Sequence, residues 1–297
     1  MKKVLKYFSL MFAFLLVLTG CNFSKKNAKE ELTNGLEKTE KATNYSEKVT
    51  VDFSMDQEGK KIAANATIDG KVYTEGDKTL MSADITAGAS GMTVNGKLYA
   101  DIDKTAAKLY VNYMGQWIKL DTTSLSGLGL DFKEIAGQAD SANLSAKEIL
   151  DYAKETKEVK SDRDGQKKYN VTLDKEKVNK KAAEAAEKAL AEAKKNGQAD
   201  AAAEAEEELA EVKKGILSKD ITFAIYTKDG YVSGFEIDLA TIIDSIGMNE
   251  EELAEIKKMN VTGKIKVELS DFGKVSKIEI PAEALNGTDA LTMLGNM

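Results

Sequence analysis

One residue in this chain is placed for a defined covalent reaction. Cys21 is the only cysteine among 297 residues and stands directly behind Leu18-Thr19-Gly20. With a single thiol there is no disulfide, no redox pair and no cysteine metal site. Histidine is absent altogether. Its absence removes the usual zinc sites, the Ser-His-Asp and Cys-His nucleophile systems and the commonest general base, and leaves carboxylate or lysine chemistry. The carboxylates do not group in a way that suggests chemistry. Glu206, Glu207 and Glu208 run together on a helical pattern and read as solvated surface. Asp162 and Asp164 flank Arg163 in SDRDG, but the following GQKKYN lacks the oxygen ligands a calcium loop needs, so this is a turn. Gly127 and Gly129 lack the downstream glycine and the strand-to-helix setting of a phosphate loop. The expectation is a non-enzymatic chain with no catalytic residue, no metal and no cofactor.

The elements around Cys21 give its thiol a different use. Lys2, Lys3 and Lys6 form a basic start, and residues 10–18 are almost wholly apolar, which is the layout of an export signal. The apolar run is shorter than the ~20 residues of a spanning helix. Leu18-Thr19-Gly20-Cys21 resembles a bacterial lipobox. That resemblance implies removal of residues 1–20 and a diacylglyceryl group on Cys21, which would hold the chain on the extracytoplasmic face of the cell membrane. Residues 21–30 then read as a polar tether. Removing residues 1–20, with three lysines and no acid, takes the net charge from −7 to −10. Such an acidic surface disfavours nucleic acid as a partner. Basic residues are almost all lysine, which points to an AT-rich genome and a Gram-positive source.

From residue 49 the apolar period becomes two. Val49, Val51, Phe53 and Met55 alternate with polar residues, as do Ile62 to Ile68, Met81 to Ile85, Leu98 to Ile102 and Leu109 to Tyr113. The pattern returns at Tyr169 to Leu173, Ile221 to Ile225, Phe235 to Leu239, Ile265 to Leu269 and Ser276 to Ile280. Alternation of this kind makes strands with one apolar and one wet face. Asp69-Gly70, Glu75-Gly76-Asp77, Asn95-Gly96, Asp229-Gly230 and Phe272-Gly273 are read as hairpin turns, which implies antiparallel pairing. Ile85 to Val94 is a glycine-containing hairpin loop, and Trp117, Tyr110 and Tyr113 are ordinary cross-strand packing.

Helical periodicity covers residues 28–44, 145–152, 237–246 and 250–258. The strongest helix signal is residues 175–214, rich in Ala, Glu and Lys. Asn196-Gly197 is a natural left-handed stop within it, so the segment reads as a helical hairpin inserted in the β scaffold, with one long broken helix as the alternative. Its larger apolar anchors are Leu190, Leu209 and Val212.

One-sided strands with helices between them, behind a lipobox cysteine, resemble the LolA/LppX-like (LprG-like) bacterial lipoprotein superfamily. The segment from Tyr99 through Trp117-Ile118-Lys119-Leu120 and the ending Ile278 to Ala284 are similar to Gram-positive surface lipoproteins of this class. The resemblance implies an α+β fold, a strongly curved antiparallel half-barrel of roughly ten or eleven strands with helices on its concave side. It would form a single domain over residues 31–285, with 286–297 as a tail. It also implies a lipid or other apolar ligand between sheet and helices. The alternating apolar positions that would line such a cavity are Val51, Phe53, Ile68, Ile85, Leu98, Val111, Phe223, Ile225, Ile265 and Val267. From the residues alone the sheet must cover its apolar face, but cavity and filled core stay equally open. With a filled core, the chain would be a structural or protein-interaction module of the cell envelope, its helical hairpin contacting an envelope protein.

Overall fold

A computed structural model of the chain describes residues 28–122, 150–290 and 292, apart from single positions at 58, 90, 104, 198 and 249. Cys21, the residues before it, and residues 123–149 with Gly127 and Gly129 lie outside that range.

The chain opens with helix α1 (Ala28–Glu40) and runs through β1 (Asn44–Gln57), β2 (Lys60–Glu75), β3 (Lys78–Ala89), β4 (Met92–Ile102), β5 (Ala107–Tyr113) and β6 (Gln116–Asp121). A second meander holds β7 (Ala153–Val159), β8 (Lys167–Leu173), helices α2 (Lys175–Lys195) and α3 (Ala199–Val212), β9 (Ile221–Lys228) and β10 (Tyr231–Asp238). Then follow α4 (Leu239–Ser245), α5 (Glu250–Lys258), β11 (Thr262–Ser270), α6 (Ala282–Leu285) and β12 (Thr288–Asp289). All twelve strands form one sheet in the order β12-β6-β5-β4-β3-β2-β1-β11-β10-β9-β8-β7. The two meanders are joined by β1 against β11, antiparallel, with Val49 opposite Val267 and Val51 opposite Ile265.

This corrects the expected half-barrel. The sheet is open, with β7 and β12 at its two ends, and it is mixed, because β12 runs parallel to β6. Period-two alternation reports which face of a strand is apolar and carries no information on curvature or closure. Two expected turns are also absent. Asp69-Gly70 lies inside the sixteen-residue β2, and Asn95-Gly96 lies inside β4. Residues 276–280, read as a strand, instead follow the turn at Asp271 and Gly273 as an irregular strap. The turns at Gly76 and at Asp229-Gly230 do form, each with the positive φ that such turns demand.

The core sits over one half of the sheet. Helices α1 and α4 lie on the apolar face of the β9–β11 region, and α1 also reaches β7. Leu32 and Leu36 of α1 and Leu239 and Ile242 of α4 interlock there with Tyr169, Val171, Ile225, Phe235, Ile265 and Val267, all buried. Thr39 ties α1 down further, since its Oγ1 accepts a bond from the Val232 N–H at 2.9 Å. Helices α2 and α3 are two helices, capped at Asp174, and they pack chiefly on each other. Ala193 is the only buried residue of α2. Asn179 anchors the base of this pair, with both its amide groups bonded to the Leu217 backbone at 2.9 Å.

Candidate functional site: the distal sheet wing

The ten apolar positions singled out from the sequence fall on one face of the sheet, through the pairs Phe53–Ala64, Ile68–Ile85, Leu98–Val111, Val51–Ile265 and their neighbours. They do not share one environment. Phe223, Ile225, Ile265 and Val267 are buried in the core, and Val51, Phe53 and Ile68 pack against its margin. Ile85, Leu98 and Val111 stand beyond it. The space between sheet and helices that would have held a lipid is occupied by interlocking side chains. The expected lipid-carrying cavity, and with it the LolA/LppX-type lipid-binding fold, is therefore overturned.

Two open depressions occur elsewhere. One of about 440 Å³ lies on the opposite face, between the row Ser46-Lys71-Ser82-Tyr99 and the strap 271–279. The other, of about 660 Å³, lies at the far ends of β1–β4 and mixes Phe53, Ala64, Ala89 and Met92 with Asp52, Lys61, Asn65 and Thr93. Charged side chains in both linings make them poor containers for an acyl chain.

The second depression lies beside an exposed apolar surface. Two transverse rows of paired residues cross the wing: Phe53-Ala64-Ala89-Met92 and Val51-Ala66-Ala87-Val94. On the core side the same face is dry, but Met92 is 72% exposed and Val94 48%. Ala87 and Ala89 are exposed between them. The neighbouring row ends at Tyr113, half exposed, next to Met114 in the β5–β6 turn. Small residues keep this patch low and broad, and Gly88 keeps its reverse side level, because a Cβ there would press on Asn65 Oδ1 at 2.8 Å. Scattered exposed apolar residues are ordinary, but a contiguous strip along paired strands is the mark of a contact surface.

A second cluster, on the polar face, is built around Arg163 in the β7–β8 turn. Its guanidinium stacks 3.8 Å over the Tyr226 ring and lies 3.3 Å from Glu236 and 3.5 Å from Glu268. Lys264 Nζ donates to Glu236 at 2.6 Å, and the Tyr226 hydroxyl donates to Asp162 at 2.9 Å. Burial pushes the Glu236 carboxyl up, yet Lys264 and Arg163 together hold it below its usual value. Gly234 makes the room: a Cβ there would meet Arg163 Nη1 at 2.9 Å and the Val267 carbonyl at 2.6 Å. Lys168 also pairs with Asp162 at 3.2 Å and Lys264 reaches Asp238 at 3.7 Å, so these charges are engaged with one another and the cluster locks the turn onto the sheet. Reading SDRDG as a turn missed this lock. The available signal was a lone arginine in a lysine-rich chain, since Arg alone stacks flat and forks to two carboxylates.

Trp117 and Tyr110 belong to packing. Tyr110 is buried, and Trp117 lies against Tyr99 at 5.8 Å and beneath Gly287 near β12. Among the described residues no group of three or more Asp, Glu, His or Cys is placed to hold a metal, and no helix is long and apolar enough to cross a membrane.

An open mixed sheet with a core on one half and a bare apolar wing on the other defines an α+β fold built around its sheet. The chain belongs to DUF6612, a family of unknown function, whose model matches residues 27–289. The match runs from the start of α1 to the last residue of β12, so the family unit is the whole sheet with its helical hairpin. No curated protein matches the chain.

Proposed function

We propose that this protein is a non-catalytic structural or protein-interaction module of the cell envelope, and that the distal wing of β2–β4 is its contact surface. The observation that supports this reading is the pair of transverse apolar rows ending at Met92 and Val94, exposed on the very face that is dry under α1 and α4. The helical hairpin is the weaker candidate for that contact. Its two helices are joined by Lys194–Glu206 and Lys213–Glu187 pairs, and on α3 the apolar side chains of Ala202, Ala205, Leu209 and Val212 are already half-buried. Attachment of Cys21 to the outer face of the membrane, by the lipobox resemblance, would place the module in the envelope. Fatty-acid analogue labelling that is lost in Cys21→Ser tests that placement.

The wing is tested by photo-cross-linking in the envelope of the producing cell. Probes at Met92 and Val94 should give one discrete, saturable adduct. Probes at Asp84 and Lys97, exposed and paired at 2.8 Å on the opposite face of β3 and β4, should not. Equal yields from both faces, or no adduct from any of the four positions, would refute the assignment.

A further inference from the structure

The two edges of the sheet are finished differently. Beyond β6 the chain itself supplies a cap, the two-residue β12, with α6 alongside. At the other end, among the described residues, β7 pairs only with β8. An edge strand presents a row of unpaired N–H and C=O groups that can template another strand.

The residues of β7 say which strand fits. Glu155 and Lys157 are exposed, and their pairing with Thr172 and Asn170 puts both on the polar face, away from α1. Lys154 beside them is engaged with Asp220 at 2.9 Å, whereas neither Glu155 nor Lys157 holds an ion pair among the described residues. If β7 pairs antiparallel with a second copy of itself, centred on Thr156, Glu155 of each copy stands opposite Lys157 of the other. Moving the centre to Glu155 or to Lys157 sets like charge against like. The strand is thus self-complementary in a single register, as a two-fold interface requires.

We propose that β7 is a homodimerisation edge, and that two copies join antiparallel through Thr156 into one continuous sheet, fixed by two symmetric Glu155–Lys157 pairs. Seven residues a side is small against the ~800 Å² per partner of a standard interface, so the dimer belongs to the weak, reversible class. The inference does not depend on the wing as a contact surface, which lies on β2–β4 in the middle of the sheet order, five strands or more from β7.

The test is sedimentation velocity over a concentration series, with the full chain in mild detergent. The parent should show a concentration-dependent monomer–dimer equilibrium. Glu155→Lys places lysine opposite lysine, and Lys157→Glu places glutamate opposite glutamate. Each should weaken dimerisation by about ten-fold, two exchanged cross-strand pairs at the usual strength. Because these side chains are exposed, far-ultraviolet circular dichroism should stay unchanged. Mixing the two variants restores opposite charges on both pairs and should restore association as a heterodimer, and so should the double exchange in one chain. A parent that stays monomeric throughout would overturn the proposal. So would single variants that dimerise like the parent, or a mixture that stays monomeric.

Discussion

The half of the sheet beneath α1 and α4 and the distal wing of β2–β4 present the same face and the same kind of residue, yet they are built for different ends. In the first, Tyr169, Val171 and Ile225 have no solvent exposure, and the helices above them contribute Leu32, Leu36 and Leu239. In the second, Met92 and Val94 meet solvent across strands otherwise lined with alanine. Burying one large aliphatic side chain is worth about 1.5–3 kcal/mol, which the packed half collects repeatedly and the wing forgoes. A surface that leaves such energy uncollected is available for binding. The contrast also explains how strands as long as β2 stay in place. They are continuous with β1, which is zipped to β11 and held by the core.

The comparison breaks most directly under truncation. Ile225→Ala, at the centre of the packed half, should cost about 2–5 kcal/mol in chemical denaturation, because deletion there leaves a cavity between sheet and helix. Val94→Ser should change stability by no more than ~0.5 kcal/mol. Similar losses from both substitutions would mean that the wing carries a core of its own.

Much of this was legible in the sequence, for a reason that also sets its limit. Alternation marks the face of each strand, and directly opposed residues share a face, so Val51, Ile68, Ile85 and Ile225 could be grouped before any register was known. Burial depends on what lies above, and that is a tertiary fact: Ile225 and Val94 look alike in a string of alternating residues. Turn signals failed where long pairing overrode them. Gly70 is held opposite Glu47 and Ala83, and Gly96 opposite Ile85 and Tyr113, so both glycines serve as flat points in strands. Asn196-Gly197 worked as a stop because no sheet competes for those residues. The wing was missed as a site because Ile85 to Val94 reads as a glycine-containing loop, while in the protein β3 and β4 continue almost to its tip.

Arg163 sharpens the comparison from the opposite face, since its lock secures the packed half only. Arg163→Met should remove the stack on Tyr226 and one counter-charge from Glu236, at a cost of about 1–3 kcal/mol at neutral pH. The pH dependence has a definite sign. Glu236 titrates below its ordinary value in the folded protein, so its contribution is present above that ordinary value and is lost as pH falls through the depressed one. The gap between parent and variant should therefore narrow as the solution is acidified below about pH 4. A gap that holds constant into acid would show that Arg163 acts by packing alone.

The smallest effect tests where the packed half ends. Glu47 is an acid on the apolar face, set opposite Leu269 and Gly70 at the end of β1 away from the wing, with the buried Val49 between it and the Val51 and Phe53 rows. Burial pushes its carboxyl above the usual range, and burial first, then the Glu47 charge, pushes the nearby Tyr45 phenol up to about 12. An acid raised on folding binds its proton more tightly in the folded chain. Folding is therefore disfavoured as pH rises from the unfolded value of Glu47 through its folded one, and the penalty persists above both. Glu47→Gln removes the charge and should stabilise the protein slightly at pH 7, within about 1 kcal/mol, with the gain vanishing below about pH 4 where parent and variant are both neutral. Denaturation midpoints at the two pH values measure it. A gain at pH 7 would mean that the dry region extends past Val49 to the Glu47 end of β1, away from the Met92–Val94 rows. No gain would mean that water already reaches Glu47, and the dry region would then end at Val49 on that side.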